Sequence, residues 1–98
     1  MKDRHRFVVI TPTRINDLGL AMTVPITTDG EWARNIGLAV PITGGYDTTG
    51  VAVCNQVRTF DIKAREKEGS AHYVETLDDF IVDEIVSRVL SVIDPAPQ

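Results

Sequence analysis

The sequence predicts an α+β fold, mainly β, in which an antiparallel, strongly bent sheet is followed by one C-terminal helix. Three observations predict it. Short β-branched runs separated by Pro, Gly, Asn and Asp turns fill the chain up to about residue 74. Apolar residues at helical spacing appear only after Thr76. The strands come first and the helix last, an order that suits α+β rather than an alternating α/β chain.

Each element has a local cause. Phe7 to Thr11 is a β-branched run stopped by Pro12 and reads as a buried strand. Asn16-Asp17 starts a turn, and Leu20 to Thr27 is a second strand. Pro25 lies inside that strand and cannot donate to a ladder, so it marks an edge, a bulge or the strand end. Thr28-Asp29-Gly30 turns into a loop that includes Trp32, with room for one helical turn at Glu31 to Arg34. Leu38 to Ile42 is a third strand, ended by Gly44-Gly45. Thr49 to Asn55 is a fourth, extended or bent through Gln56 to Asp61. Ile62 to Arg65 suits a short helical turn, and His72-Tyr73-Val74 a short last strand.

The helix is the plainest element. Thr76 is an N-cap candidate with Asp79 three residues on, a capping-box-like start that also places acid at the positive helix end. Leu77, Ile81, Ile85, Val89 and Val92 form its apolar face, widened by Phe80, Val82, Val86, Leu90 and Ile93, and Asp94-Pro95 ends it. Such a helix lids a sheet, and part of its face is wide enough for a dimer contact. The expectation is one domain over residues 1–98, with a frayed tail at 95–98.

Composition narrows the function classes. The chain has 98 residues with ten Lys and Arg against fourteen Asp and Glu, a net charge of −4. From Glu75 onward the net is −5, so the remainder is slightly basic and able to form a locally positive cleft despite an acidic whole. Arg4, Arg6, Arg34, Arg58, Lys63 and Arg65 are the available cations, which composition alone reads first as solvated surface. No apolar run approaches the roughly 18 residues of a membrane span. Cys54 is the only cysteine, and His5, Cys54 and His72 lie far apart, which excludes a disulfide scaffold and a zinc finger and favours a cytoplasmic setting. Cys54 reads as a small buried strand residue. No Walker loop, GxSxG, GxGxxG or HExxH pattern is present. Two features keep chemistry open: His5 and His72 suit either general acid–base work in RNA cleavage or plain surface, and Trp32 suits either base stacking or packing onto the sheet.

Two segments carry a resemblance. The first runs from Val24-Pro25-Ile26-Thr27-Thr28 through Trp32-Ala33-Arg34 to Gly37 and Val40. The second runs from Thr48-Thr49-Gly50-Val51 through Asn55-Gln56-Val57-Arg58-Thr59-Phe60-Asp61 to Lys63-Ala64-Arg65. Together they resemble the MazF/PemK (Kid) toxins of type II toxin–antitoxin systems, with PemK/Kid as the nearest branch, over about Phe7 to Ile93.

The resemblance implies an SH3-like, twisted antiparallel barrel with a C-terminal helix, of the kind CcdB, MazF and PemK share, assembled as a homodimer. It implies metal-independent cleavage of single-stranded mRNA at a short sequence, without cofactor or membrane, by attack of a ribose 2′-hydroxyl on the adjacent phosphate. It also implies a cognate antitoxin whose acidic tail fills the RNA groove. By position, Thr27 and Thr28 match the family's phosphate-contacting residues. His5 and Arg6, with Arg4 beside them, fall where the family places an arginine. Asn55 falls where the PemK branch has its catalytic aspartate. Ile36, Leu38, Thr49 and Val51 match groove-lining positions, and Gln56 and Arg58 match the Q-x-R motif, for which a structural or groove-side role is expected.

Three departures from the family pattern stand beside these matches. The PemK branch carries Arg and Asp as acid and base where this chain has Val53 and Asn55. The family's first strand and its G-H-E-Q loop have no counterpart here, so an unpaired sheet edge is expected, covered by a neighbouring chain or by residues upstream of Met1. Two rival readings follow: a catalytically impaired member serving as an antitoxin-binding or dimerisation module, and a gyrase-targeting toxin of the CcdB type.

Overall fold

The computed structural model describes residues 5–28 and 37–93. In chain order these form β1 (Phe7–Val9), α1 (Thr13–Asn16), β2 (Leu20–Thr27), β3 (Ala39–Pro41), β4 (Val51–Val53), β5 (Arg58–Asp61), α2 (Ile62–Lys67) and α3 (Asp79–Ile93). The expectations for Arg4, Trp32, Arg34, Ile36, the helical turn at Glu31 to Arg34, the stop at Asp94-Pro95 and the tail lie outside the described residues.

All pairings are antiparallel and β2 is their hub. Its N-terminal half pairs with β5 (Leu20↔Asp61 to Thr23↔Arg58), and its C-terminal end pairs with β4 (Ile26↔Ala52, Thr27↔Val51). Along its other side runs β1, from Phe7↔Pro25 to Val9↔Thr23. Beyond β4 lies β3, in register Ala39↔Val53 to Pro41↔Val51. Among the described residues no strand pairs the outer edge of β1.

Pro25 sits where the partner changes from β5 to β4. The Ile26 amide donates to the Arg6 carbonyl, and the Met22 carbonyl accepts from Ile10, so even-numbered residues of β2 turn their backbone polar groups toward β1. Pro25 therefore faces the gap between β5 and β4, where a missing N–H breaks no ladder bond. The bend of the sheet is placed there.

The core packs Val8, Val24, Val40, Ile42, Ala52 and Cys54 of the sheet side against Ile81, Ile85 and Val89 of α3. The i, i+4, i+8 spacing of those helix residues puts them on one stripe, as the sequence predicts. Val92, expected on the same stripe, is 44% exposed. A smaller cluster of Ala39, Val51 and Val53 lies under Leu38. Cys54 is buried, which pushes its thiol up to about 11 and leaves it protonated and inert at neutral pH.

Three local expectations are corrected. The predicted fourth strand and its extension are interrupted: a turn at Cys54-Asn55, closed by the Gln56 amide on the Val53 carbonyl, loops the chain out of the ladder, and β5 rejoins the same side of β2 running in the same direction as β4. His72 to Val74 is coil, because Tyr73 and Val74 remain exposed and bury nothing that would fix a strand. The Thr76–Asp79 capping box does not form. Thr76 instead shares a hydrogen bond with the Tyr73 hydroxyl, the Asp78 carbonyl accepts the first helical amides, and the Asp78 amide donates to Tyr46. The turn expected at Asn16-Asp17 is present, and it is entered through the short helix α1, whose N-cap is Pro12 and which Asn16 ties back to Thr11.

No helix among the described residues is long and apolar enough to cross a membrane, and no three of their His, Cys, Asp and Glu side chains cluster as a metal site.

Candidate active site

The antiparallel register decides which loop ends meet. Arg6 lies beside Ile26 on the β1 side, and Thr27 pairs with Val51 on the β4 side. Residues just before β1 and just before β4 therefore flank the end of β2. His5, Arg6, Ile26, Thr27, Thr28 and Thr49 line an open cavity of about 320 Å³ there. Three hydroxyls, an imidazole and a guanidinium thus converge from three chain segments.

Gly50 permits the closeness of two of these segments. Its φ is +119°, a left-handed conformation, and a Cβ on it would lie 2.5 Å from the Thr27 carbonyl oxygen. No side chain fits between β4 and the backbone of Thr27, so this position needs glycine for space as well as for conformation.

Arg6 is held. Its guanidinium Nη1 donates to Thr48 Oγ1 at 2.8 Å. Thr48 is itself buried, and its amide donates to Glu75 Oε2 at 2.7 Å while the Asp47 amide donates to Glu75 Oε1 at 3.2 Å. Hydrogen bonding from the Thr48 hydroxyl, then the Thr48 and Asp47 amides and the nearby Arg6 charge, hold the Glu75 carboxyl below the usual carboxylate range against a smaller opposing effect of burial. Nothing in the sequence separates Glu75 from the other acids of the C-terminal stretch; no local pattern links it to a threonine 27 residues earlier.

A second groove of about 1070 Å³ runs along β1 and the segment before α3. It shares His5 and Arg6 but is also lined by Asp17, Glu66, Glu75 and Asp79. The smaller cavity has no carboxylate among its described lining residues. Among its described lining residues, the smaller cavity offers an anionic group one guanidinium and three hydroxyls and no carboxylate.

The remaining predicted residues are distributed around this centre. Leu38 is half-buried over the small cluster, and Val51 is fully buried within it, so Val51 supports the wall from beneath. Asn55 and Gln56 are exposed on the β4–β5 turn, and neither lines the cavity. Arg58 is exposed in β5, and its carbonyl accepts the Thr23 hydroxyl at 3.0 Å. The rest of the second matched segment builds scaffold. Phe60 meets Phe7 with ring centroids 5.5 Å apart, Arg65 lies 4.5 Å over the Phe60 ring, and Asp61 accepts the Ala64 amide at the start of α2. Lys63 is 3.6 Å from Asp17. Of the described cations proposed for a cleft, only Arg6 lines the small cavity. His72 lines the larger groove only.

Comparison with known proteins bears on the family and the fold. A family model described as the PemK-like, MazF-like toxin of type II toxin–antitoxin systems matches residues 1–93. The chain is 35% identical over 88 residues to the endoribonuclease PemK of Escherichia coli, an alignment covering 88% of this chain and 63% of the relative. It is 33% identical over 88 residues to the endoribonuclease toxin ChpB of Escherichia coli strain K12, covering 89% and 72%. The chain thus spans just under two thirds of the length of PemK. Its fold matches a chain of the MazE–MazF structure of Deinococcus radiodurans with TM-score 0.76 at 20% identity, covering 92% of this chain and 82% of that one. MazF alone from the same organism matches with TM-score 0.76 at 19% identity, covering 95% and 79%. The MazF-like, mainly β architecture expected from the sequence is thereby shown.

Proposed function

This chain belongs to the PemK-like, MazF-like toxins of type II toxin–antitoxin systems, and on that premise we propose that it is an endoribonuclease that cleaves single-stranded mRNA at a short sequence. The observation that carries the proposal is the convergence of His5, Arg6, Thr27, Thr28 and Thr49 on one cavity without a described carboxylate. These groups match the needs of an internal phosphodiester transfer. His5 takes the proton of the 2′-hydroxyl as its oxygen bonds to phosphorus. Arg6 and the threonine hydroxyls face the non-bridging oxygens, where negative charge grows in the transition state. The bond to the 5′-oxygen breaks and that oxygen is protonated by water at the open mouth, leaving a 2′,3′-cyclic phosphate and a 5′-hydroxyl. Every step uses side chains and water.

Asn55 takes a different part from the one its alignment suggests. An exposed amide outside the cavity is no proton carrier at neutral pH. We assign it, with Gln56 and Arg58, to contacts with nucleotides flanking the scissile phosphate, and Leu38 to an apolar wall of the groove. Arg4 and Ile36 are proposed for the same groove from their sequence positions. A homodimer, and an antitoxin whose acidic tail competes with RNA for the cationic cavity, complete the reading. The toxin–antitoxin description of the family and the likeness to a MazE–MazF structure support the antitoxin partnership. The setting is the cytoplasm, where mRNA is available.

The test is cleavage of a long unstructured RNA in excess EDTA, mapped by primer extension, with Thr27→Ala as control. Cuts at one recurring short sequence, lost in the control, are expected. Intact RNA from folded protein would refute the enzyme reading and leave the antitoxin-binding module.

A further inference from the structure

We propose that Glu75 and Thr48 are positioning residues that fix the Arg6 guanidinium at the wall of the His5–Thr27–Thr49 cavity. Arg6 precedes β1 and is exposed, so left alone its long side chain would sample many rotamers and offer the cavity a diffuse charge. Instead Nη1 is tied to Thr48 Oγ1 at 2.8 Å. Thr48 cannot follow a wandering arginine, because it is only 6% exposed and its amide is anchored to Glu75 at 2.7 Å. Both Glu75 oxygens are used, one on the Thr48 amide and one on the Asp47 amide, so the carboxylate clamps the chain just before Thr49 and Gly50. One acid in the coil before α3 thereby sets two parts of the cavity, the Arg6 charge and the backbone leading to Thr49. Its lowered carboxyl pKa agrees with this geometry.

The consequence for cleavage rests on the function proposed above; the positioning itself does not. The experiment pairs single-turnover RNA cleavage with two NMR readouts, the order of the Arg6 side-chain Nε–H group and exchange of the Asp47 and Thr48 amides. It uses Thr48→Val, Thr48→Ser and Glu75→Gln. Thr48→Val keeps the volume and removes the acceptor; the Arg6 signal should become mobile and kcat fall about tenfold or more, with KM changed less than about threefold. Thr48→Ser should restore both, which a merely structural role for the threonine methyl would not allow. Glu75→Gln has one carbonyl oxygen for two amides, so exchange of one amide should accelerate. An Arg6 signal unchanged in Thr48→Val overturns the relay. A mobile Arg6 with undiminished cleavage overturns its role in the reaction. If the wild type leaves RNA whole, the enzyme reading fails, and the Arg6 signal still decides whether Glu75 and Thr48 hold it.

Discussion

On the β5 side of Pro25, β2 is backed by the Arg65–Phe60–Phe7 stack and by the Asp61 cap of α2. On the β4 side, the same strand ends among Arg6, Thr49 and Gly50 at an open cavity. Both halves carry residues of the matched segments, yet the half denser in charged motif residues holds no part of the small cavity. The side chains of Asp61, Lys63 and Arg65 are engaged with a helix end, an acid and a ring. The site is made by His5, Arg6 and three threonines at loop ends. The charges after β5 are spent on local contacts, and the cavity opens at the opposite end of β2.

That contrast breaks first at Thr27. Thr27→Ala should lower cleavage by about 10²-fold or more while the melting temperature moves little, the effect of removing one transition-state donor. Full activity would take the site out of the β4 half. Gly50→Ala comes next. The left-handed backbone alone costs about 1–2 kcal/mol, and Gly45→Ala, at φ +85° with nothing within 4 Å, measures that part by thermal unfolding. Gly50→Ala adds the collision with the Thr27 carbonyl, so it should also cut kcat tenfold or more, since a shift of about 1 Å in a reacting group costs about 10²-fold. Equal kinetics in the two variants would remove the close approach from the mechanism.

Phe60→Ala tests the other half. It should destabilise by about 2 kcal/mol through lost ring contacts, read in urea unfolding, while kcat measured well below the transition stays within about twofold. A large kinetic loss at intact stability would merge scaffold and site. The smallest effect is expected for Asn55→Asp: a new carboxylate on an exposed turn should change cleavage less than about threefold. A gain of about 10²-fold would move the general base from His5 to the turn.

Much of the molecule is legible in the amino-acid string. The bounds of β2, the core stripe Ile81–Ile85–Val89 and the family itself follow from β-branched runs, helical spacing and two matched segments. The interruption between β4 and β5 is not legible, because Val51 to Asp61 reads as one bent strand and only the registers show that the chain between Val53 and Arg58 leaves the ladder with β2. Nor is the cap of α3, since Thr76 satisfies the local pattern but finds Tyr73, and Tyr46 takes the Asp78 amide from 32 residues away.

The class of fold, the helix face and the family are properties of the string, because local propensity and periodicity are short-range and need no distant partner to be visible. Three other facts exist only once the chain is folded: Arg6, among the proposed cations, reaches the cavity; Gly50 must lack a side chain; and Glu75 holds Thr48. They depend on the antiparallel register around β2, and register is settled by burial of both sheet faces and of α3 together, a cooperative outcome that no single segment encodes.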